Sequence, residues 1–103
     1  MKFVSLYVTA ANAREARKLA ADLVENRLAA CVNVLGPVRS IYRWKGKVET
    51  GREVVLLAKT RAALADRAIR RIKALHSYEV PCVVALPILK GHPAFLRWIA
   101  DET

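Results

Sequence analysis

The sequence predicts a single α+β domain in which two helices pack on one antiparallel sheet. Several segments show the alternation of apolar and polar residues that is typical of strands. Between them lie two segments whose apolar residues recur every 3.6 residues, as in amphipathic helices. A long hairpin from Val38 to Thr60 separates these two halves. The chain has 103 residues, of which 54% are hydrophobic, so residues 1–103 are expected to form one domain with an ample core.

The first half begins with an alternating segment, Lys2–Thr9, which predicts a strand rather than a cleaved leader. Asn12 is the expected N-cap of a helix over Ala13–Arg27, and Glu15 stands three residues later, where it completes a capping box. Apolar residues at helical spacing give this helix one buried stripe. A second strand, Ala29–Leu35, is predicted to end at Gly36-Pro37.

The hairpin is the longest predicted element. Gly46 can supply the positive φ of a tight turn, as Lys45-Gly46 or Gly46-Lys47, and the return strand is apolar on both faces over Glu53–Thr60. A strand from Val38 to Lys47 would be about 33 Å long, whereas a domain of this size has a radius of gyration of about 13 Å. The hairpin is therefore expected to overhang its own domain and to place Tyr42 and Trp44 against a neighbouring copy.

The second half repeats the strand–helix–strand order. A helix over Ala62–Leu75 has a basic outer stripe that includes Arg70, which can pair with Asp66. The following strand, Val80–Ile88, contains two prolines and is expected to lie at a sheet edge or to be bulged near them. A short C-terminal helix begins at His92-Pro93. This order is the split βαβ, ferredoxin-like βαββαβ arrangement with an extended hairpin and an added C-terminal helix.

In this arrangement both long helices cover the same side of the sheet. Phe3, Tyr7 and Cys31 point to the other side, and the last two strands carry apolar residues on both sides. An uncovered apolar sheet face is an aggregation hazard for a monomer. We therefore expect another copy of the chain to cover it.

The composition limits the functional classes. The net charge of +9 fits a partner such as nucleic acid or an anionic ligand, but it also fits a solvated basic surface. The segment GREVVLLAKT offers no aromatic residues for base stacking, so nucleic-acid binding is not expected. No phosphate-binding glycine loop, HExxH motif or serine elbow is present, which predicts a protein that is not an enzyme. No apolar run is long enough to span a membrane, and the two cysteines, without a CxxC motif, fit a reducing cytoplasm.

Six blocks of the sequence together resemble the CutA family of divalent-cation tolerance proteins. The blocks are RLAACVNV (Arg27–Val34), SIYRWKGKVE (Ser40–Glu49), LLAKT (Leu56–Thr60), HSYEVP (His76–Pro81), ALPI (Ala85–Ile88) and GHPAFLRWI (Gly91–Ile99). The resemblance spans nearly the whole chain in order. It implies a ferredoxin-like fold similar to nitrogen-regulatory signalling proteins, and a homotrimer whose hairpins reach across subunits.

The resemblance also implies metal ligands. Family members are linked to tolerance of divalent metals, copper in particular, and the motif positions correspond to Cys31 and His76. Two residues depart from the family pattern: Ser77 replaces a proline, which is expected only to loosen a loop, and Cys82 replaces a glutamate. Cys31, His76 and Cys82 would form a soft site suited to Cu(I) or zinc. Alternatively, both cysteines are core residues and His76 caps the second long helix.

A second candidate site is a cleft between subunits. Lys59, Tyr78, Glu79 and Trp44 are its expected ligand contacts, with Lys59 as the contact to an anion or another small ligand. The alternative for Lys59 is a structural ion pair with Glu53.

The sequence therefore predicts a cytoplasmic, homotrimeric divalent-cation tolerance protein that binds or responds to metal. Copper or another divalent cation is its expected ligand, and none is required for folding. A signalling role is favoured over catalysis. The alternative is a ferredoxin-like module that binds nucleic acid or a small anionic ligand.

Overall fold

A computed structural model describes the whole chain, residues 1–103, as one antiparallel sheet with three helices. The elements are β1 (Phe3–Ala10), α1 (Ala13–Glu25), β2 (Cys31–Trp44), β3 (Lys47–Arg61), α2 (Ala65–Leu75), β4 (Val83–Ile88) and α3 (Pro93–Asp101). The strand order β2-β3-β1-β4 confirms the predicted split βαβ arrangement. No helix combines the length and the apolar character that crossing a membrane would take.

The hydrophobic core lies between one side of the sheet and the helices α1 and α2. Alternate residues of the central strands β1 and β3 point into it, because side chains alternate between the two sides of a strand. The buried cluster includes Leu6, Val8, Leu56, Leu19 and Ile72. We call the opposite side, which α1 and α2 leave uncovered, the second side of the sheet.

The predicted break at Gly36-Pro37 is wrong, because β2 runs through it as one strand of 14 residues. The register with β3 shifts between Leu35 and Pro37, as in a β-bulge. A proline is tolerated here because β2 is an edge strand. The N–H that proline lacks would have no further strand to bond to on the outer side. The turn matches the prediction: Lys45 and Gly46 have φ values of 49° and 80°, the two positive values of a type I′ turn.

The overhang of the hairpin is confirmed. Pairing between β1 and β3 ends at Ala10 and Val54, so residues 47–53 pair only with β2. The molecule measures 44 × 25 × 23 Å along its principal axes. The long axis is therefore consistent with a two-stranded ribbon that extends beyond the three-layered body.

Two helix boundaries differ from the prediction. α1 ends at Glu25 rather than Arg27, because Arg27 has a φ of 56° and the N–H of Leu28 bonds back to the carbonyl of Leu23 at 2.9 Å. This left-handed residue closes the helix as a C-terminal cap does. α2 begins at Ala65 after a 3₁₀ turn over residues 62–64.

The two long helices are joined by a bidentate ion pair. Both carboxylate oxygens of Asp22 accept hydrogen bonds from Arg71, from Nε at 2.8 Å and from Nη2 at 2.8 Å. These bonds lower the pKa of Asp22. The predicted pair of Asp66 and Arg70 is not formed, because neither belongs to an ion pair of the chain.

The edge strand β4 begins at Val83, three residues later than predicted. Pro81 has no N–H to donate, and a single backbone–backbone hydrogen bond, from the N–H of Thr9 to the carbonyl of Cys82 at 3.3 Å, joins residues 80–82 to β1. β4 pairs with β1 alone, which confirms its predicted edge position.

The second side of the sheet is not entirely bare, which corrects the prediction. α3 packs against β3 there, its residue Ile99 is fully buried, and Arg61 donates to the hydroxyl of Thr103 at 3.0 Å. Part of this side stays apolar and open to solvent. We call its exposed residues the apolar strip: Leu35, Val84 and Leu86, which are 44%, 49% and 46% exposed.

Replacing Thr60 with valine is expected to stabilise the chain. Thr60 is fully buried and its hydroxyl has no hydrogen-bond partner. An unsatisfied buried hydroxyl costs about 1–3 kcal/mol, and a methyl group of similar shape removes that cost. Chemical denaturation should show a free energy of unfolding higher by about 1 kcal/mol.

The matched control is Thr50→Val, at an exposed position of the overhanging hairpin. A surface substitution of this kind should change the free energy of unfolding by less than about 0.5 kcal/mol. Destabilisation by Thr60→Val would show that the hydroxyl is satisfied in solution.

Candidate ligand site on the second side of the sheet

A pocket of about 580 Å³ opens on the second side, where the hairpin leaves the body of the domain. β1, β2 and β3 form its floor and one wall, and the segment between α2 and β4 forms the other wall. We call it the ligand pocket. It is lined by Tyr7, Thr9, Ser40, Tyr42, Trp44, Glu53, Tyr78, Glu79, Val80 and Cys82.

The bulge in β2 directs the hairpin aromatics into this pocket. Val32 and Val34, before the bulge, pair with the core-facing Ala58 and Leu56 and so share their side of the sheet. Beyond the bulge, even-numbered residues switch sides, because one extra residue reverses the alternation. Tyr42 and Trp44 therefore lie on the same side of the sheet as Glu53. Without the bulge, their even residue numbers would place them on the core side with Val32 and Val34.

His76 fixes the wall of the pocket. It is 9% exposed, its Nε2 bonds to the carbonyl of Thr9 at 2.7 Å, and its Nδ1 accepts from the N–H of Tyr78 at 3.0 Å. Because a backbone N–H can only donate, Nδ1 is the acceptor of the Tyr78 bond and Nε2 is the nitrogen that donates to Thr9. Its centroid also lies 4.6 Å from that of the Tyr78 ring. The residue links β1 to the segment that carries Tyr78 and Glu79.

Glu15 supports the same segment from α1. Its Oε1 accepts from the N–H of Ala11 at 2.9 Å, its Oε2 accepts from the N–H of Ser77 at 2.8 Å, and its own N–H donates to the Asn12 side chain at 2.8 Å. Asn12 is therefore the N-cap as predicted. Ser77 does more than loosen the loop, because a proline at this position could not donate to Glu15.

The hydrogen bonds of Glu15 have a consequence for stability against pH. Burial raises the pKa of this carboxyl, but the bonds from Ala11 and Ser77 outweigh it, and the pKa lies below its usual 4.5. A group with a lowered pKa in the folded state stabilises the fold above the unfolded pKa and loses that contribution as the pH falls through the folded value. The stabilisation by Glu15 is therefore complete at neutral pH and is lost below pH 4.5.

We therefore expect Glu15→Gln to lower the free energy of unfolding by about 1 kcal/mol at pH 7, as for loss of a helix cap. The difference from the unmodified chain should shrink as the pH is lowered from 5 towards 3. Urea denaturation at a series of pH values measures it. Glu25→Gln, at an exposed residue of α1, is the control and should change stability by less than about 0.5 kcal/mol. A Glu15→Gln difference that grows on acidification would contradict this sign.

The pocket is acidic and aromatic. Burial, followed by hydrogen bonding to Glu53 and the negative charge of Glu53, raises the pKa of Tyr78, so its phenol stays neutral. Glu79 is exposed at the rim, and no lining residue is basic. This charge argues against an anionic ligand in the pocket.

The three predicted metal ligands do not come together. Cys31 is half-buried at the start of β2 beside Lys59, Cys82 is exposed in the ligand pocket, and both nitrogens of His76 are engaged in hydrogen bonds. The chain has no group of three His, Cys, Asp or Glu side chains arranged to hold a metal ion. One chain alone therefore does not supply the predicted three-ligand site.

The predicted cleft residues are brought together except for one. Trp44, Tyr78 and Glu79 all line the ligand pocket. Lys59 does not, because it stands six residues beyond Glu53 on β3, about 20 Å away, and its Nζ donates to the side chain of Asn33. No ion pair joins Lys59 to Glu53.

Sequence reasoning missed Tyr7, Thr9 and Ser40 as lining residues. The alternation of β1 already placed Tyr7 away from the core, which is the signal that could have found it and Thr9. Ser40 required the register of β2 against β3, because that register decides which hairpin residues meet β1.

The comparisons with known proteins agree with this architecture. Residues 4–102 match the family model described as CutA1 divalent ion tolerance protein. The chain belongs to this family. A CutA1 family member of Thermus thermophilus, named divalent-cation tolerance protein CutA, is 45% identical over 96 residues, which are 93% of each chain. The solved structure of the Cut A1 protein from this organism superposes with a TM-score of 0.94 over 100% of this chain and 99% of that chain.

Other members of the family are similar in fold and differ in length. The crystal structure of CutA1 from Oryza sativa has a TM-score of 0.96 and 40% identity, and it matches 100% of this chain and 94% of that chain. The Xenopus laevis protein named CutA homolog is 45% identical over 92% of this chain, which spans only 63% of that relative. The Archaeoglobus fulgidus structure, described as periplasmic, has a TM-score of 0.94 and 39% identity over 97% of both chains.

Proposed function

We propose that the chain acts in the cytoplasm as a homotrimeric divalent-cation tolerance protein that binds or responds to metal ions, copper in particular. Its role is signalling rather than catalysis. The observation that carries this proposal is the family match over residues 4–102, since that family is described by its tolerance of divalent ions.

The apolar strip supports the homotrimer. Leu35 on β2 and Val84 and Leu86 on β4 lie on the same side of the sheet, and each is more than 40% exposed in the single chain. Burying such side chains stabilises by about 25 cal/mol per Å² of apolar surface. The overhanging hairpin gives a copy an element with which to reach this strip.

The metal ligands in this proposal come from more than one copy of the chain, because a single chain has no group of three side chains arranged to hold a metal ion. Cys31 is the strongest candidate of the predicted three: it is a half-buried free thiol, and thiolate suits Cu(I) and zinc. Lys59 lies about 20 Å from Glu53 along its own strand. It can therefore join an effector cleft with Trp44, Tyr78 and Glu79 only if it comes from another copy of the chain.

The experiment is a titration of Cu(I) and Zn(II) into the reduced protein and into the variants Cys31→Ser, Cys82→Ser and His76→Gln. Loss of at least tenfold in affinity is expected for Cys31→Ser, as for removal of a ligand. Metal affinity that is unchanged in all three variants would remove these residues from the proposal. Circular dichroism at the same concentrations checks that each variant is folded.

A basic groove on α2 favours the alternative function, binding of nucleic acid or a small anion. It has a volume of about 330 Å³ and is lined by Leu28, Arg67, Arg70 and Arg71. Arg67 and Arg70 form no ion pair, so they are available to phosphate. Binding of a labelled RNA that falls steeply with salt and is lost in Arg67→Ala/Arg70→Ala, but kept in Arg14→Ala, would favour this alternative.

A further inference from the structure

The ligand pocket has a charge opposite to that of the whole chain. The chain has 18 Lys and Arg residues against 9 Asp and Glu, yet the pocket lining holds Glu53 and Glu79 and no basic residue. Neither carboxylate takes part in an ion pair, although basic side chains outnumber acidic ones. Two carboxylates without a basic partner in a concave site attract a cation.

Aromatic rings provide the walls of the same pocket. Tyr7, Tyr42, Trp44 and Tyr78 all line it, and aromatic faces attract ammonium and guanidinium groups. Trp44 already accepts a cation in this structure, since Nζ of Lys45 lies 5.6 Å from the centroid of its ring. The wall is thus suited to a positive charge that is attached to an apolar body.

A hydroxyl on the floor of the pocket points to the same kind of ligand. Thr9 is only 6% exposed and lines the floor of the pocket on the second side of the sheet. Its carbonyl is bound by His76, but its hydroxyl is not a partner in any side-chain hydrogen bond of the chain. The hydroxyl is therefore open to a ligand in the pocket, and an N–H group held between the carboxylates would donate to it.

We infer that this pocket binds a small organic cation, in which an ammonium or guanidinium group is carried on an apolar body. Glu53 and Glu79 hold the charge, the hydroxyl of Thr9 accepts from an N–H, and Tyr42 and Trp44 enclose the apolar part. The volume of about 580 Å³ lies within the range of about 300–1,000 Å³ for small-molecule sites. This inference goes beyond the proposed function: it concerns the pocket of one chain, which does not include Lys59, and it does not rest on metal binding.

The test is calorimetry on the full chain in EDTA, with phenethylamine as the probe and 2-phenylethanol as its neutral counterpart of similar shape. Phenethylamine is expected to bind at least about tenfold more tightly, because only the amine gains from the carboxylates. Emission of Trp44, recorded in a Trp98→Phe background, should change with the amine. Raised salt should weaken binding of the amine and leave that of the alcohol unchanged.

Glu53→Gln and Glu79→Gln should each weaken binding of phenethylamine by about five- to tenfold. Glu25→Gln, at an exposed residue of α1 outside the pocket, is the charge-matched control and should leave binding unchanged. Equal affinity for amine and alcohol would overturn the inference, as would an affinity that Glu53→Gln and Glu79→Gln leave unchanged. Binding by a Leu86→Glu monomer but not by the unmodified chain would overturn it too, because a second copy would then fill the pocket. A chain that keeps its trimeric mass and its copper affinity but binds neither probe would overturn this inference alone.

Discussion

Replacing His76 with alanine is expected to lower the free energy of unfolding by about 3 kcal/mol. The imidazole bridges the carbonyl of Thr9 and the N–H of Tyr78, and it is 9% exposed. Alanine leaves both backbone groups without this partner, which costs about 1–3 kcal/mol, and adds the cost of a small cavity against the Tyr78 ring. Urea denaturation at a fixed protein concentration measures the change.

His92 provides the matched control, since it is exposed and makes no capping hydrogen bond at the start of α3. His92→Ala should change the free energy of unfolding by less than about 0.5 kcal/mol. If both substitutions cost the same small amount, His76 does not hold the wall of the ligand pocket. A further check is Trp44 emission, which should change in His76→Ala because the segment with Tyr78 and Glu79 loses its anchor.

Replacing Leu86 with glutamate is expected to reduce the mass of the particle in solution from three chains to one. Leu86 is 46% exposed in the single chain and belongs to the apolar strip. If copies of the chain cover the strip, three carboxylates would be buried without partners, and each uncompensated charge costs several kcal/mol. Light scattering after size-exclusion chromatography measures the mass.

Val24→Glu is the control for this prediction. Val24 is exposed to a similar extent, 41%, but it lies on α1, on the opposite side of the sheet. This variant should keep the mass of the unmodified chain. A trimer that persists in Leu86→Glu, or one that is lost equally in Val24→Glu, would show that the apolar strip is not the surface that joins the copies.

The sequence predicted the elements and their arrangement because local patterns determine them. The alternation in Lys2–Thr9, the Asn12 cap and the Lys45-Gly46 turn each act over a few residues, and each is present in the structure. The break at Gly36-Pro37 was wrong because both residues usually end a strand, and only pairing with β3 makes room for them as a bulge.

The candidate site was less accessible to sequence reasoning, because it depends on register. Which hairpin residues share a side with Glu53 depends on the extra residue in β2, and no local pattern gives that shift. The same register places Lys59 beside Cys31 rather than in the ligand pocket. The hydrogen bond between His76 and Thr9 joins residues 67 positions apart in the chain, so no local pattern could predict it.

The central claim is that the apolar strip on the second side of the sheet is covered by copies of this chain. Sedimentation equilibrium of the unmodified protein at micromolar concentration tests it most directly. The account predicts a particle of three chains, each of 11.5 kDa. A mass of 11.5 kDa, with the strip left in water, would contradict it.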